Sequence, residues 1–309
     1  MRYQSTEKTR EFLNRIREHL YRLDYSAIRV DCNSNLTHLP ISVVDFTNEK
    51  SFFGKKQMDW GGWNVIYRAR LITNKGNTPH ENVSCISYIP KHNLHKIEKF
   101  GRVNKPNESM FYGSLGLETA CAEAVTKGNV FKDRKSVMLS VGVWKFETPL
   151  TIVQMPYSEK YIKMFYEKVR YKSKKIDLGH IAEVNKKQRE RLEDDMSYEV
   201  LEFFADEFAK WNTTNDYEYM LSNYYADRIF NRLSGFEVEG EIDGIMYPSI
   251  ALSYEETNMV LKPEVVDSKL KFIYAYQIRM DDLKDIGLGA QWNAIKRNVK
   301  ADEAGRLLW

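Results

Sequence analysis

Residues 155–235 constrain the fold more than any other part of this 309-residue chain, because they separate two groups of short apolar segments. The stretch has few glycines and prolines and many lysine, glutamate and tyrosine residues, which favours long helices. The segments before and after it are short and rich in valine, isoleucine and aromatic residues, which is typical of strands. Strands on both sides of a helical insertion predict an α+β fold.

This pattern divides the chain into four predicted parts. Residues 1–60 predict an N-terminal helical extension, and the apolar periodicity over 7–25 predicts an amphipathic helix within it. Residues 61–154 and 215–309 predict the two halves of one core, and residues 155–214 predict a helical insertion between them. A chain of this length is long enough for one large domain that carries such an insertion.

Six strands are predicted in the two halves of the core. They occupy residues 61–71, 109–115, 136–146, 243–252, 258–263 and 270–279. A helix is predicted over 117–125, which contains good helix formers. Turns are predicted between the first helix and the first strand, and residues 72–99 predict a long loop with at most one short strand or helix. Pro248 indicates a sheet edge, a bulge or the end of a strand, and a tail punctuated by glycines closes the chain.

The overall composition is that of a globular protein. Hydrophobic residues make up 43% of the chain and charged residues 29%. No run approaches the roughly 20 apolar residues of a membrane-spanning helix, and the first residues have no apolar core of a signal peptide. We therefore expect the protein in the cytoplasm, without a membrane partner. The net charge of +3 is too small to indicate nucleic-acid binding by itself.

Cysteine and histidine spacing gives no sign of a disulfide framework or a metal site. Cys32, Cys85 and Cys121 are odd in number and far apart, which is typical of free thiols in a reducing compartment. His92 and His95 are three residues apart but have no further ligands nearby. Surface histidines are therefore favoured over a metal site, and no metal is expected.

The predicted insertion has an uneven charge distribution. Residues 160–175 are strongly basic, whereas residues 193–207 are acidic. The two segments could pair across a helical hairpin, or the basic segment could meet an acidic partner or a phosphate. A solvated helical face is the ordinary explanation of such a charge run and is favoured.

Arg102, Tyr112 and Glu123 stand out within a short turn, strand and helix over 100–124. In the glycine-flanked turn "GRVN", a guanidinium could bind a phosphate or a carboxylate through two hydrogen bonds. The tyrosine ring could stack on a flat ligand, and small residues around Glu123 would let a ligand approach its carboxylate. Taken singly, a surface arginine, a half-buried strand tyrosine and a solvated glutamate explain the same residues.

The order and spacing of these residues resemble the RES-domain family, whose members are toxins of bacterial toxin–antitoxin pairs that destroy NAD. The tyrosine follows the arginine of the turn by ten residues, and the glutamate follows the tyrosine by eleven. An arginine in "YRAR", the segment "GIMYPS" and an asparagine in "TNMVLKP" complete the pattern over 61–150 and 215–275. The matching positions are Arg68, Arg102, Asn104, Tyr112, Glu123, Ser249 and Asn258.

The resemblance implies a fold similar to the ADP-ribosyltransferases, with a split β-core that holds NAD in a cleft. Glu123 would then stabilise the positive charge that develops on the ribose when nicotinamide leaves. Tyr112 would stack on or orient that ribose. Arg102 and Arg68 would hold the pyrophosphate or an incoming anion, with Arg68 preferred to Arg70 as the family's arginine.

The remaining family positions would complete the NAD site. Asn104 belongs to the same turn as Arg102 and would line the binding site. Ser249 would hydrogen-bond a phosphate or the acceptor, and Asn258 would support the site. Two departures stand out: Val103 occupies a position where the family has an aromatic residue or cysteine, and many of these toxins are shorter than this chain.

Three functions stay open on the sequence. The first is NAD consumption with water or phosphate as acceptor, in a growth-arresting toxin or phage-defence effector. The second is an ADP-ribosyltransferase that modifies a protein or nucleic acid, and the third is a non-catalytic module that binds NAD or ADP-ribose. The resemblance also implies a neutralising antitoxin, and the insertion is a candidate surface for that partner or for a homo-oligomer.

Overall fold

The computed structural model of the chain describes most of its residues. The described residues are 6–36, 39–46, 64–73, 77–127, 136–169, 178–192, 194–210, 215–231, 240–249, 251, 256–281 and 291–309. Within them, the chain forms one nine-stranded mixed sheet together with α-helices, so the predicted α+β class is confirmed at this level. No helix in these ranges is both long and apolar enough to cross a membrane.

Helices and strands alternate irregularly along the chain. The strands are β1 Val43–Phe46, β2 Val65–Leu71, β3 Phe111–Ser114, β4 Ser136–Phe146, β5 Leu150–Gln154, β6 Gly244–Pro248, β7 Thr257–Leu261, β8 Leu270–Asp281 and β9 Gln291–Val299. The α-helices are α1 Thr6–His19, α2 Tyr25–Asn35, α3 Leu117–Lys127, α4 Glu159–Val169, α5 Leu178–Glu190, α6 Asp195–Phe208, α7 Met220–Phe230 and α8 Pro263–Lys269. Short 3₁₀ helices occupy Leu20–Arg22, Val83–Ile86, Lys91–Lys96 and Asp216–Tyr219.

The sheet has a narrow junction near its middle. Its strand order is β1-β5-β6-β7-β3-β2-β4-β8-β9, and its neighbours are antiparallel except for β5 and β6. Strands β2 and β4 pair along the whole of β2, from Val65 to Leu71. Strands β2 and β3 are joined by the single pair Tyr67 and Ser114. Because a single pair joins these two strands, the sheet is open along the rest of the boundary between β3 and β2.

The six predicted strands and the helix that follows β3 are present in the structure. Pro248 ends β6, which is an interior strand between β5 and β7, so of the three predicted readings the strand end is correct. Three strands were not predicted, and two of them, β1 and β9, lie at the edges of the sheet. Polar residues alternate along β9, and β1 has four residues, so neither gives a strong apolar pattern.

The first predicted helix is wrong in its length. Residues 7–25 do not form one helix, because α1 ends at His19 and a 3₁₀ turn follows it. Asp24 then accepts a hydrogen bond from the backbone N–H of Ala27 at 2.7 Å and caps a second helix, α2. This helix lies where turns were predicted, since its polar sequence "YSAIRVDCNSN" has few good helix formers.

Helices α1, α2, α6 and α7 form one layer on the sheet, which we call the helical layer. Phe204 of α6 packs on Tyr225 of α7, with ring centroids 4.8 Å apart. Phe12 of α1 and Ile28 of α2 are buried in the same cluster, as is Val260 of β7. Helix α6 lies within the predicted insertion, yet its apolar face shares a core with the predicted N-terminal extension.

The acidic residues of α6 pair with α1. The carboxylate of Glu207 is buried and lies 3.0 Å from Nε of Arg17, and it also contacts the ammonium group of Lys210. Nearer the surface, Arg10 of α1 donates to Glu199 at 2.6 Å. The favoured reading of a solvated face is therefore wrong at Glu207, which is buried. The alternative, pairing with residues 160–175, stays a prediction, because much of that basic segment lies outside the described residues.

Candidate active site

A cleft of about 540 Å³ lies where the sheet opens. Strands β2 and β3 and helix α3 supply most of its walls, and β6 and β7 close one side. Its polar and aromatic lining includes Arg68, Arg70, Tyr112, Glu123, Tyr247 and Asn258. The cleft thus contains four of the residues that the sequence predicts for the site, together with Arg70 and Tyr247.

Glu123 is fixed in this cleft by neutral hydrogen-bond donors. The hydroxyl of Ser249 donates to its Oε1 at 2.8 Å, and the amide of Asn258 donates to the same oxygen at 2.6 Å. Helix α3 brings the carboxylate to this position, because its buried neighbours Cys121 and Ala122 are small and let the helix pack against β2. Two donors on one oxygen orient the carboxylate without neutralising its charge.

Ser114 extends this network by one further hydrogen bond. It lies directly opposite Asn258 in the pairing of β3 with β7, and its hydroxyl donates to Oδ1 of Asn258 at 2.6 Å. This bond fixes which end of the amide faces Glu123, since the oxygen is engaged and the NH₂ group is left to donate. Both Ser114 and Asn258 are buried. We call Ser114, Asn258, Glu123 and Ser249 the carboxylate network.

Tyr112 lines the cleft and also holds the "GRVN" turn. Its hydroxyl donates to Oδ1 of Asn104 at 2.7 Å and accepts from the backbone N–H of Val103 at 3.1 Å. Gly101 is needed for this close approach, because a Cβ there would lie 2.3 Å from the same Asn104 oxygen. Burial raises the pKa of Tyr112, so its hydroxyl stays protonated at neutral pH.

Arg102 lies behind the turn, and the cleft-lining residues do not include it. Its guanidinium donates to the carbonyl oxygen of Phe208 and, at 2.7 Å, to that of Lys210, both at the end of α6. Cations are stabilised by the free carbonyl groups at a helix C-terminus. The guanidinium carbon also lies 5.9 Å from the centre of the Tyr247 ring. That Arg102 binds a phosphate stays a prediction.

Arg68 and Arg70 both line the cleft. Arg68 is 8% exposed, and it donates to the carbonyl oxygen of Tyr112 at 2.7 Å. Burial and, to a smaller extent, the nearby charge of Arg70 lower the pKa of Arg68 to about 9. Arg70 donates to the carbonyl oxygen of Cys85 at 2.9 Å. The sequence left open which of these arginines lines the cleft, and the structure shows that both do.

Sequence reasoning missed three residues of the site. Tyr247 stands within the segment "GIMYPS" that was already singled out, so its place in that motif was a usable signal. Ser114 follows Tyr112 by two residues on the same strand, but its partner is visible only in the register of β3 and β7. His80 also lines the cleft, but it lies in the long loop and belongs to no motif, so nothing in the sequence marks it.

The described residues include no candidate metal site. No group of three or more His, Cys, Asp or Glu side chains there could hold a metal ion. His92 and His95 lie exposed on the 3₁₀ helix Lys91–Lys96. Among the described residues, the three cysteines are free thiols, and Cys32 and Cys121 are buried.

Comparisons with known proteins name no relative. A scan against models of protein families gives no match, and a search of curated proteins finds no similar sequence. The resemblance to the RES-domain family therefore rests on the residue pattern alone.

Proposed function

We propose that this protein consumes NAD by cleaving the bond between nicotinamide and ribose. The observation that supports this most is the position of Glu123, whose carboxylate is oriented by Ser249 and Asn258 inside a cleft with Arg68 and Arg70. A carboxylate facing a cationic, partly aromatic cavity suits a substrate that carries a ribose and a pyrophosphate. The narrow junction of the sheet is the feature that would correspond to the split β-core of ADP-ribosyltransferases.

The carboxylate network supplies the electrostatic part of the mechanism. As the C–N bond breaks, its electron pair leaves with nicotinamide and positive charge develops on the ribose. Glu123 stabilises this charge, and its position costs little reorganisation because Oε1 is already held by two donors. Nicotinamide leaves as a neutral ring, so no strong acid is needed. An oxygen of inorganic phosphate, or of water that then loses a proton to the solvent, forms the new C–O bond at the ribose carbon.

The other cleft residues bind and orient the substrate in this proposal. The ring of Tyr112 lines the cleft while its hydroxyl holds Asn104, so stacking on the substrate is its main role. Arg68 binds a phosphate oxygen, since buried guanidinium groups form strong hydrogen bonds with such anions. Arg102 acts from behind, where it holds the turn and the Tyr247 ring against the end of α6.

The biological role follows from the family resemblance. An enzyme that depletes NAD would act as a bacterial growth-arresting toxin or a phage-defence effector, and an antitoxin protein would keep it silent. Transfer of ADP-ribose to a protein or nucleic acid would use the same cleft with another acceptor. A non-catalytic NAD-binding module would use it without turnover.

The decisive experiment measures free nicotinamide by chromatography after purified protein is mixed with NAD, with and without phosphate. Glu123→Gln is compared with Glu118→Gln, which changes an exposed carboxylate on the same helix and outside the cleft. We expect release by the wild type and by Glu118→Gln, and a loss on the order of 10²-fold or more in Glu123→Gln.

Each other outcome has a definite meaning. Full release by Glu123→Gln would show that the mechanism is wrong. A product that forms only with phosphate would identify the acceptor. Absence of release by the wild type in both buffers would leave the transferase and the non-catalytic module as the remaining functions.

A further inference from the structure

One end of the cleft holds cationic and imidazole groups without a matching acid. Arg68, Arg70 and His80 line it together. Of the described residues that line the cleft, Glu123 alone carries a carboxylate, and the hydrogen bonds that it accepts come from Ser249 and Asn258. The positive charge of this end is therefore not neutralised by the cleft's own side chains.

Two nitrogen atoms at this end are buried and lack a hydrogen-bond partner among the described residues. They are Nε of Arg68 and Nδ1 of His80. Buried polar atoms in folded proteins are nearly always hydrogen-bonded, so these two nitrogens mark a place where the fold leaves polar groups unmatched. Arg68 is 8% exposed, so water reaches little of its guanidinium group.

We propose that Arg68, Arg70 and His80 form a phosphoryl-binding subsite, in which His80 contributes to affinity for the anion. This inference rests on the proposed function and deepens it, because it assigns a ligand class to one end of the same cleft. The phosphoryl group comes either from the pyrophosphate of the dinucleotide or from free phosphate that acts as the acceptor. Both sources present anionic oxygens to the same three side chains.

His80 is held in the cleft from both sides of its loop. Its backbone N–H donates to the hydroxyl of Ser140 on β4 at 3.1 Å. Its carbonyl oxygen accepts from the indole N–H of Trp309 at 2.6 Å. Next to it, the N–H of Leu307 donates to the carbonyl of Glu81 at 2.8 Å. Strand β4 and the segment 300–309 thus fix the backbone of His80, although this residue lies in a long loop.

The charge of His80 is expected to change when an anion binds. Burial and, second, the charge of Arg70 lower the pKa of His80, so its imidazole is neutral in the free protein at neutral pH. Arg68 and Glu123 are the other charged groups of the cleft, whereas the side chains of Ser140 and Trp309 that contact this loop are neutral. A bound phosphoryl group favours the protonated imidazole and raises its pKa. Binding therefore takes up a proton, and affinity should increase as the pH falls.

The test measures binding of ADP-ribose by calorimetry at about pH 6 and about pH 8, on either side of the ordinary histidine pKa. The pyrophosphate of ADP-ribose keeps its charge over this range, so a pH effect reports on the protein. His80→Gln retains hydrogen bonding without the charge. His92→Gln is the matched control, because His92 is exposed and outside the cleft.

We expect His80→Gln to weaken ADP-ribose binding about 10-fold or more at the lower pH, and much less at the higher pH. His92→Gln should bind as the wild type does at both. Equal affinity of His80→Gln and the wild type at both pH values, for ADP-ribose and for inorganic phosphate, would overturn the subsite. Failure of the wild type to bind either probe would also overturn it.

A parallel titration with inorganic phosphate distinguishes the two sources. Loss of ADP-ribose affinity alone assigns the subsite to the dinucleotide's pyrophosphate, and loss of phosphate affinity alone assigns it to the acceptor. Neither titration requires turnover. A protein that binds ADP-ribose through His80 but releases no nicotinamide would overturn the proposed function and keep the subsite. Nicotinamide release with unchanged affinity in His80→Gln would do the reverse.

Discussion

The cleft and the helical layer each contain a carboxylate held by hydrogen bonds, but the partners of the two carboxylates differ in charge. Glu207 in the helical layer is fully buried and paired with Arg17 and Lys210. Glu123 in the cleft is half-buried and held by the neutral side chains of Ser249 and Asn258. The buried charge of Glu207 is thus matched by cations of the protein, whereas the carboxylate of Glu123 is oriented by neutral donors.

The arginines of the two regions show the same contrast. Arg17 and Arg102 place their guanidinium groups on carboxylates or on the carbonyl groups at the end of α6. Arg68 has a buried Nε without a partner among the described residues. Arg17 and Arg102 therefore stabilise the fold around α6, whereas Arg68 contributes a guanidinium group to the lining of the cleft.

The largest expected effect is a difference in the free energy of unfolding between variants of the two carboxylates. Glu207→Gln should lower the free energy of unfolding by about 3 kcal/mol, because it leaves Arg17 and Lys210 without their buried partner. Glu123→Gln should change it by less than about 1 kcal/mol, since glutamine can still accept from Ser249 and Asn258. Urea unfolding of both variants measures this difference.

Glu199→Gln is the control for that pair. Its partner Arg10 is exposed, so the change should lower the free energy of unfolding far less than Glu207→Gln does. A larger loss in Glu123→Gln than in Glu207→Gln would reverse the comparison between the two regions.

A smaller effect is expected where the carboxylate network meets the sheet. Ser114→Ala removes the hydrogen bond that fixes the amide of Asn258, so nicotinamide release should fall about 3- to 10-fold. The change should appear in kcat and leave KM nearly unaltered, because the residue acts through Asn258 on Glu123. Ser114→Thr keeps the hydroxyl and should recover most of the rate. Unchanged kcat in Ser114→Ala would remove Ser114 from the network.

The smallest expected effect concerns the contact between the two regions. Arg102→Lys keeps a charge but loses the planar fork that reaches both Phe208 and Lys210. We expect KM for NAD to rise several-fold and the melting temperature to fall by about 2–4 °C, which corresponds to about 1 kcal/mol. Arg279→Lys changes an exposed arginine on β8 and serves as the control.

The two readouts of Arg102→Lys sharpen its role. A rise in KM with an unchanged melting temperature would show direct contact with the substrate, as the sequence predicts. If both values remain those of the wild type, Arg102 has neither role.

The local parts of the site could be predicted from the sequence. The turn, strand and helix around Tyr112 and Glu123 follow from glycine positions and helix formers within 25 residues, and the structure shows these elements. Periodicity fails where polar residues fill a helix, as in α2, or where a strand lies at a sheet edge, as in β9.

Contacts between distant residues could not be predicted. Arg17 and Glu207 are 190 positions apart, and local patterns hold no information on such pairings. The acidic run of α6 therefore gave no sign of Arg17 and Arg10 of α1, which pair with Glu207 and Glu199. His80 was missed for the same reason, because its position depends on β4 and on Trp309.

The carboxylate network also has a consequence for synthesis of the protein. Glu123 is made long before its partners, since Ser249 lies 126 positions later and Asn258 lies 135 positions later. A ribosome adds about 5–20 residues per second, so the growing chain carries an unoriented carboxylate for several seconds or more. An unfinished chain that ends before β7 has no Asn258 and cannot form the network. Under the proposed function, the nascent chain therefore stays inactive until its synthesis is nearly complete.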